Sequence, residues 1–483
     1  MSGTAELVND SSEPKIHETQ AIALPLSDSD LAVDLPPDGG YGWVCVASVF
    51  IINGFTWGVT ASYGVYLAHY LSANIYPDAS SIDFAFIGGL NFSMAMLVAP
   101  VVTILARRFG TQTPMLFGAV LLAAGYISAS FAHRIWELFL SQGVLVGFGV
   151  GFVSIPSIAI LSQWFEKKRS LASGIASAGS GIGGLIFSFA TQAMIENISL
   201  AWSLRITGII AGMMNVIAAL MIRNRNKAIK PPQRGFDTKL LRRYDVFLLL
   251  SWAFVSMLGY VTILFSLSDF ARSIGLSAGK AAAVSAFLNL GTAVGRPLVG
   301  VASDHFGRME TAGVLTLICG FTCFAIWLPA TSYGVTILFV IVSGAFFGVF
   351  WMTIGPICVE VAGLVELASL LSLSWMSVVL PTTFAEVIAL ELRRPGSRRD
   401  YLYPQIFAGL AYIVASGCMY ELRRFKQKQK WREACTSHQA FDLRFNSQVA
   451  LGCAANGGRP IPAAEIHQEE FDANAEALCV WKR

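Results

Sequence analysis

Pro36-Pro37-Asp38-Gly39-Gly40-Tyr41-Gly42-Trp43 runs directly into the apolar stretch Val44 to Tyr66, and the join marks where a polar tail ends and a membrane begins. Two prolines and three glycines interrupt regular structure. Asp38 is expected near a helix start, where its charge meets the positive end of the dipole, and Tyr41 and Trp43 suit the lipid headgroup layer.

Composition points the same way. Of 483 residues 54% are hydrophobic and only 13% charged, against roughly 25% charged in soluble domains. The net charge of +3 is too small to argue for nucleic acid, and the basic residues sit in short clusters between apolar runs. The runs long enough to cross about 30 Å of hydrocarbon lie at 41–67, 82–105, 114–132, 136–161, 171–194, 201–222, 246–268, 280–302, 311–329, 333–359, 366–390 and 401–420. The expected fold is therefore all-α and integral to the membrane, with twelve transmembrane helices in two six-helix halves. Residues 1–40 contain no apolar stretch longer than Ala21–Leu26 and are expected to form a disordered cytosolic tail.

Lys and Arg set the orientation. Arg107-Arg108, Lys167-Lys168-Arg169, the Arg223–Arg243 segment and Arg423–Arg432 fall on one side if both termini are cytosolic. One loop disobeys: Arg393, Arg394, Arg398 and Arg399 fall outside. The linker 223–245, with Pro231-Pro232, separates halves 41–222 and 246–420, and 421–483 forms a second cytosolic tail. An internal repeat supports the division: Pro100, Phe109 and Gly110 after the second span recur at one common displacement as Pro297, Phe306 and Gly307 after the eighth, as in transporters built from duplicated halves.

Asp38-Gly39-Gly40-Tyr41-Gly42-Trp43 resembles the signature that opens the first membrane helix of monocarboxylate porters, a branch of the major facilitator superfamily. Gln163-Trp164-Phe165-Glu166-Lys167-Lys168-Arg169 and the following Ala172, Gly174, Ala176, Ala178, Gly179 and Ser180 resemble the same family's fifth-helix segment, especially in its fungal members. The resemblance covers about residues 36–430. Gly300, Asp304, Gly307 and Arg308 resemble the superfamily's Gly-x-x-x-Asp-Arg-x-Gly-Arg turn, with His305 in place of an Arg; the family reading makes Asp304 and Arg308 gating residues, and the bland reading makes this a tight basic turn. In the first copy Arg107 stands at the acidic position, and the bland reading prevails. Gly179-Ser180-Gly181-Ile182-Gly183-Gly184 also satisfies the dinucleotide pattern, but no strand precedes it, so close helix packing is the better account. Cys319 and Cys323 lie one turn apart without a histidine in any span centre, and neither metal nor other cofactor is implied.

A substrate site in a membrane protein needs polar groups inside the bilayer. Ser285, Asn289, Thr292 and Arg296 recur on one face of the eighth span. Arg296 sits where monocarboxylate porters carry the Arg that holds the substrate carboxylate, and its planar fork of donors suits such an anion; pairing with Glu360 or Asp304 is the alternative. On the first span Asn53, Thr56, Trp57, Thr60 and Tyr63 recur, with Asn53, Trp57 and Tyr63 the expected substrate contacts; on the seventh Gly259, Thr262, Ser266 and Asp269 recur. The family's first-helix Lys falls at Ala61 and its eighth-helix Asp at Thr292, so both partners of the family's proton relay are missing, with His69, Asp83 and Glu386 as remaining titratable groups. The expectation is a secondary transporter of an organic anion or acidic metabolite working by alternating access, with a leaning to export. Proton-coupled uptake of a small monocarboxylate and a non-transporting sensor of an organic acid stand as alternatives; no enzyme chemistry is visible. The Asn197-Ile198-Ser199 sequon lies too near the bilayer for use, and the plasma membrane is the expected location, with the vacuolar membrane as the alternative.

Overall fold

The computed structural model describes residues 36–72, 75–77, 79–225, 239–394, 396–397 and 399–455. The tail before Pro36, Pro231-Pro232 of the linker, Arg398 and the acidic terminus around Glu469-Glu470 lie outside the described residues.

Hydrocarbon offers no partner for a peptide N–H or C=O, so the apolar runs satisfy their backbones internally as helices. These are α1 (Gly42–Leu67), α2 (Ser81–Leu97, prolonged after a 41° bend by Ala99–Phe109), α3 (Gln112–Ala129), α4 (Ile135–Trp164), α5 (Arg169–Asn197), α6 (Leu200–Met221), α7 (Tyr244–Ser273), α8 (Ala278–Phe306) and α9 (Arg308–Trp327). The apolar helical stretch Tyr333–Leu392 is 60 residues long, about 90 Å if straight, far more than one crossing. It turns back at Gly363, whose φ of 76° leaves the helix. Trp351 stacks on Trp375 at 5.7 Å, and Cys358 Sγ lies 3.8 Å from Ser374 Oγ. The stretch is thus two helices, α10 (333–362) and α11 (364–392). With α12 (Leu402–Ala455) the apolar helices long enough to cross a membrane number twelve among the described residues. α12 continues past the expected limit of its apolar run at 420 because Lys, Arg, Gln and Glu sustain helix outside lipid.

The internal repeat reappears in three dimensions. Gly110 between α2 and α3 (φ 84°, ψ 160°) and Gly307 between α8 and α9 (φ 101°, ψ 143°) adopt nearly the same turn, in a region of φ that favours glycine. Within the first half α1 packs on α5 and α3 on α6; within the second α7 packs on α11 and α9 on α12. The halves meet through α5 against α8 and α2 against α11, pairings that exchange when each helix is advanced by six. Val120, Phe189, Met213, Val314, Phe321 and Leu410 stand exposed, which suits a surface whose solvent is lipid.

The Gly-rich run in α5 is a wedge. A Cβ at Gly179 or Gly183 would overlap the carbonyl oxygens of Phe50 and Gly54 in α1, whereas one at Gly181 would lie 2.7 Å from the Asn289 oxygen in α8. Alternate glycines therefore let α5 touch the backbones of both neighbours, which accounts for the dinucleotide-like pattern. Opposite them, Gly54 to Gly58 form a π-helical turn in α1.

Two sequence expectations change. Asp38 does not cap α1, which starts at Gly42 without a side-chain cap. Its Oδ1 instead accepts the N–H groups of Glu166, Lys167 and Lys168 at 2.7, 2.9 and 3.3 Å, just before α5; the left-handed φ of 51° turns the carboxylate toward that dipole. Asp38→Ala is expected to cost about 1–2 kcal/mol, read as a lower thermal unfolding midpoint; an unchanged midpoint would reject the cap. Tyr41 is likewise held by protein, donating to the Met221 oxygen at 2.8 Å beneath the Arg223 guanidinium. The disobedient Arg393 is explained by its partners: it pairs with Asp269 at 2.5 Å and with Asp400 at 3.9 Å. Tyr401 donates to the same Asp269 carboxylate, so the charge of Arg393 is offset locally.

Candidate functional site

Between the halves lies a cavity of about 60 Å³ for the centres of water-sized spheres, room for a few waters. α1, α2, α4 and α5 line it from one side, and α7, α8 and α10 from the other. Asn53, Trp57, Asn289, Thr292 and Arg296 all line it, with Ala61 beside them. Among the described residues that line it, Arg296 is the one charged side chain, and none is a carboxylate or a lysine.

Arg296 is 5% exposed. Its Nη1 donates across the halves to the Ser177 oxygen at 2.8 Å and to Ser180 Oγ at 2.7 Å, while its Nε has no partner. Glu360 does not reach it, being paired with Arg308. Gly348 of α10 leaves the guanidinium its place: a Cβ there would lie 2.7 Å from Nη2. Gly348→Ala is therefore expected to reproduce, at about tenfold or more, the functional loss of an Arg296 variant with little change in thermal stability; wild-type transport in Gly348→Ala would show that the position of the guanidinium is unimportant.

The other polar residues are partly committed to packing. Asn53 Nδ2 donates to the Val49 and Ala176 oxygens, both at 3.0 Å. Thr292 Oγ1 lies 3.0 and 3.1 Å from the Leu288 and Gly344 oxygens, to which its one proton can be given, and the Asn289 amide covers Gly184. Tyr63 lies outside this cavity; its hydroxyl donates to the Phe84 oxygen at 3.0 Å and its ring lines a smaller void with Thr60, Asn91 and Gln142. Ser285 bonds Ser268 Oγ at 2.7 Å. The seventh-helix stripe turns away: Gly259 meets the Tyr412 ring, and Ser266 Oγ lies 3.5 Å from Glu386. A polar stripe in a membrane helix often serves a neighbouring helix, and here α7 offers the cavity Tyr260 and Leu264 instead. Asp83 caps α2 in a capping box with Ser80.

Sequence reasoning missed Ser177, Ser180, Phe92, Tyr260, Phe347, Gly348 and Trp351. The two serines lay inside the run read as packing, and the aromatics carry no period that separates them from core. Trp57 contacts Phe92 at 5.2 Å and, across the halves, Trp351 at 5.3 Å; Tyr260 stacks on Phe347 at 4.6 Å. The Tyr260 hydroxyl lies beside both Arg296 and Trp351.

At the end of the bundle where the turns 107–112, 164–169 and 304–308 gather, the halves are tied by polar contacts. Asp304 Oδ1 and Oδ2 accept the N–H groups of Ser170 and Leu171 at 2.9 and 2.8 Å, so a carboxylate of one half caps the N-terminus of α5 in the other. Arg308 donates to the Glu166 oxygen at 2.6 Å and lies 3.7 Å from Asp304 and 3.4 Å from Glu360. At the related turn, Arg107 reaches Ser369 Oγ at 3.3 Å. Among the described residues no group of three His, Cys, Asp or Glu side chains could hold a metal ion.

A family model described as Major Facilitator Superfamily matches residues 46–384. The chain is 36% identical to the probable transporter MCH2 of Saccharomyces cerevisiae over 86% of its own length and 89% of that protein's. It is 28% identical to the fujikurins efflux protein of Gibberella fujikuroi, covering 79% and 82% of the two chains. Among solved structures it resembles the proton:xylose symporter XylE, with a TM-score of 0.61 at 14% identity over 79% of this chain and 95% of the other, a likeness of fold alone.

Proposed function

We propose, from the premise that this chain belongs to the Major Facilitator Superfamily, that it is a transporter of the monocarboxylate-porter kind which moves an organic anion out of the cell by alternating access. A multi-pass membrane transporter, and not an enzyme, is what that membership makes it; substrate, direction and membrane are the proposal. The observation that carries it is Arg296: a buried cation in the cavity between the halves, with Nε unpartnered. Burying such a charge is costly unless a partner arrives, and an anion supplies one. Export is favoured by the relative named for efflux of fujikurins. The plasma membrane is the location that export requires. Among the described residues no carboxylate or lysine lines the cavity, and Ala61 and Thr292 do, which favours transport without a proton relay at those two positions.

In this cycle Asp304 and Arg308 form the gate on the side read as cytosolic. Parting the halves removes the Asp304 cap from α5 and the Arg308 bond to Glu166, and closing restores both. Asp304→Ala is expected to shift the population toward the conformation open at that side, read as an increase of several-fold in labelling of a cysteine introduced at Ser173, which lines the cavity; labelling as slow as in the parent would remove the gate assignment. The transport reading is tested in vesicles from a host lacking its own porters, in both orientations, with radiolabelled lactate and benzoate. Arg296-dependent flux is expected; binding without flux in either orientation would make the protein a sensor and overturn the proposal.

A further inference from the structure

We infer that the cargo carries its acidic group on a flat conjugated ring, so that Arg296 takes the acid while Trp57 and Trp351 take the ring; this rests on the reading of Arg296 as an anion site. The body of the cavity is aromatic, with Trp57 and Phe92 from the first half and Tyr260, Phe347 and Trp351 from the second. Trp57 and Trp351 face each other across the halves at 5.3 Å and 42°, tilted and not stacked, a contact that a planar ring laid on either indole replaces with stacking. Trp351 is held in place: it also stacks on Trp375, fully buried, at 5.7 Å and 18°, which fixes its orientation before any ligand enters.

The donors point to the same shape. Arg296 Nε has no well-placed acceptor, and Trp351 Nε1 and the Arg296 guanidinium both lean on one hydroxyl, that of Tyr260. A buried donor without a well-placed acceptor is costly, and donors that crowd one hydroxyl beside a cavity are matched by a ligand whose acceptor oxygens lie near the plane of its ring, as in an aromatic carboxylic or hydroxy-carboxylic acid. A short aliphatic acid satisfies Arg296 alone and leaves the indoles without a partner. The cavity holds only a few waters and the indoles touch at 5.3 Å, so an aromatic acid enters only as the halves part, and because the two indoles belong to different halves its occupancy is linked to their separation.

The test uses benzoate, 2-naphthoate and cyclohexanecarboxylate, the last offering a carboxylate on a puckered ring, titrated calorimetrically into the purified full-length protein. Benzoate and 2-naphthoate are expected to bind several-fold, up to about tenfold, more tightly than cyclohexanecarboxylate. That ratio is expected to fall toward one in Trp351→Leu and in Trp57→Leu, and binding of all three to be lost in Arg296→Gln. Equal affinities for benzoate and cyclohexanecarboxylate in the unaltered protein, both lost in Arg296→Gln, would overturn the ring preference and leave the anion reading standing. Binding of the acids that survives Arg296→Gln, or no binding of any of them, would overturn the anion reading and this inference with it. The comparison of the three acids in the unaltered protein decides the matter even where a tryptophan variant fails to fold.

Discussion

Arg296→Gln is expected to lower anion transport by about 100-fold or more, close to 3 kcal/mol of lost interaction, while the purified protein remains folded and no less stable to heat. The two effects have opposite causes. The guanidinium is a buried charge held by the Ser177 oxygen and Ser180 Oγ, beside the Tyr260 hydroxyl, with Nε lacking a well-placed acceptor; a shorter, neutral glutamine gives up those bonds and also removes the cost of burying a charge, so the two largely offset. With an anion bound, the same charge is paired, and its loss removes a charge-assisted interaction. Arg296→Lys separates charge from shape: an ammonium keeps the charge and loses the planar fork, so transport between the two extremes is expected. Full activity in Arg296→Gln would remove this residue from binding, and a coincident collapse of the unfolding midpoint would make its role structural.

Gly179→Val is expected to leave almost no folded protein. A Cβ there would overlap the Phe50 carbonyl oxygen, and neither atom can move without separating α1 from α5, so the cost exceeds the roughly 1–3 kcal/mol of ordinary overpacking. Gly183→Val meets Gly54 in the same way. Gly64 and Gly417 have nothing within 4 Å of a Cβ, and valine there is expected to be tolerated. Recovery of a single symmetric peak in size-exclusion chromatography separates the two pairs; normal recovery of Gly179→Val would show that α1 and α5 do not approach as closely as described.

The fold was legible because membrane insertion is read locally. An apolar run either is or is not long enough to cross hydrocarbon, and Pro36 to Trp43, the linker and the Phe109-Gly110 and Phe306-Gly307 turns punctuate the runs without reference to any other part of the chain. Partnership is not local. Asp38 looked like a cap for the helix that follows it, yet the N–H groups it meets lie more than a hundred residues away. Ser177 and Ser180 looked like packing and hold Arg296, while Ser266 looked like cavity and meets Glu386. Small polar side chains in lipid serve either purpose, and their identity does not say which.

Residue order therefore carries the number of crossings, the expected orientation, the duplication and the single cation placed at depth in the bilayer, since each follows from hydropathy, charge and turn chemistry along the chain. The cavity belongs to the assembled molecule. Its aromatic walls come from α1, α2, α7 and α10, its cation is held by a serine pair in the opposite half, and its latch joins Asp304 to the start of α5. A cavity is defined by which faces of several helices turn toward one another, and that rotation is settled by backbone contact at Gly179, Gly181 and Gly183 and not by the hydrophobicity of any one helix.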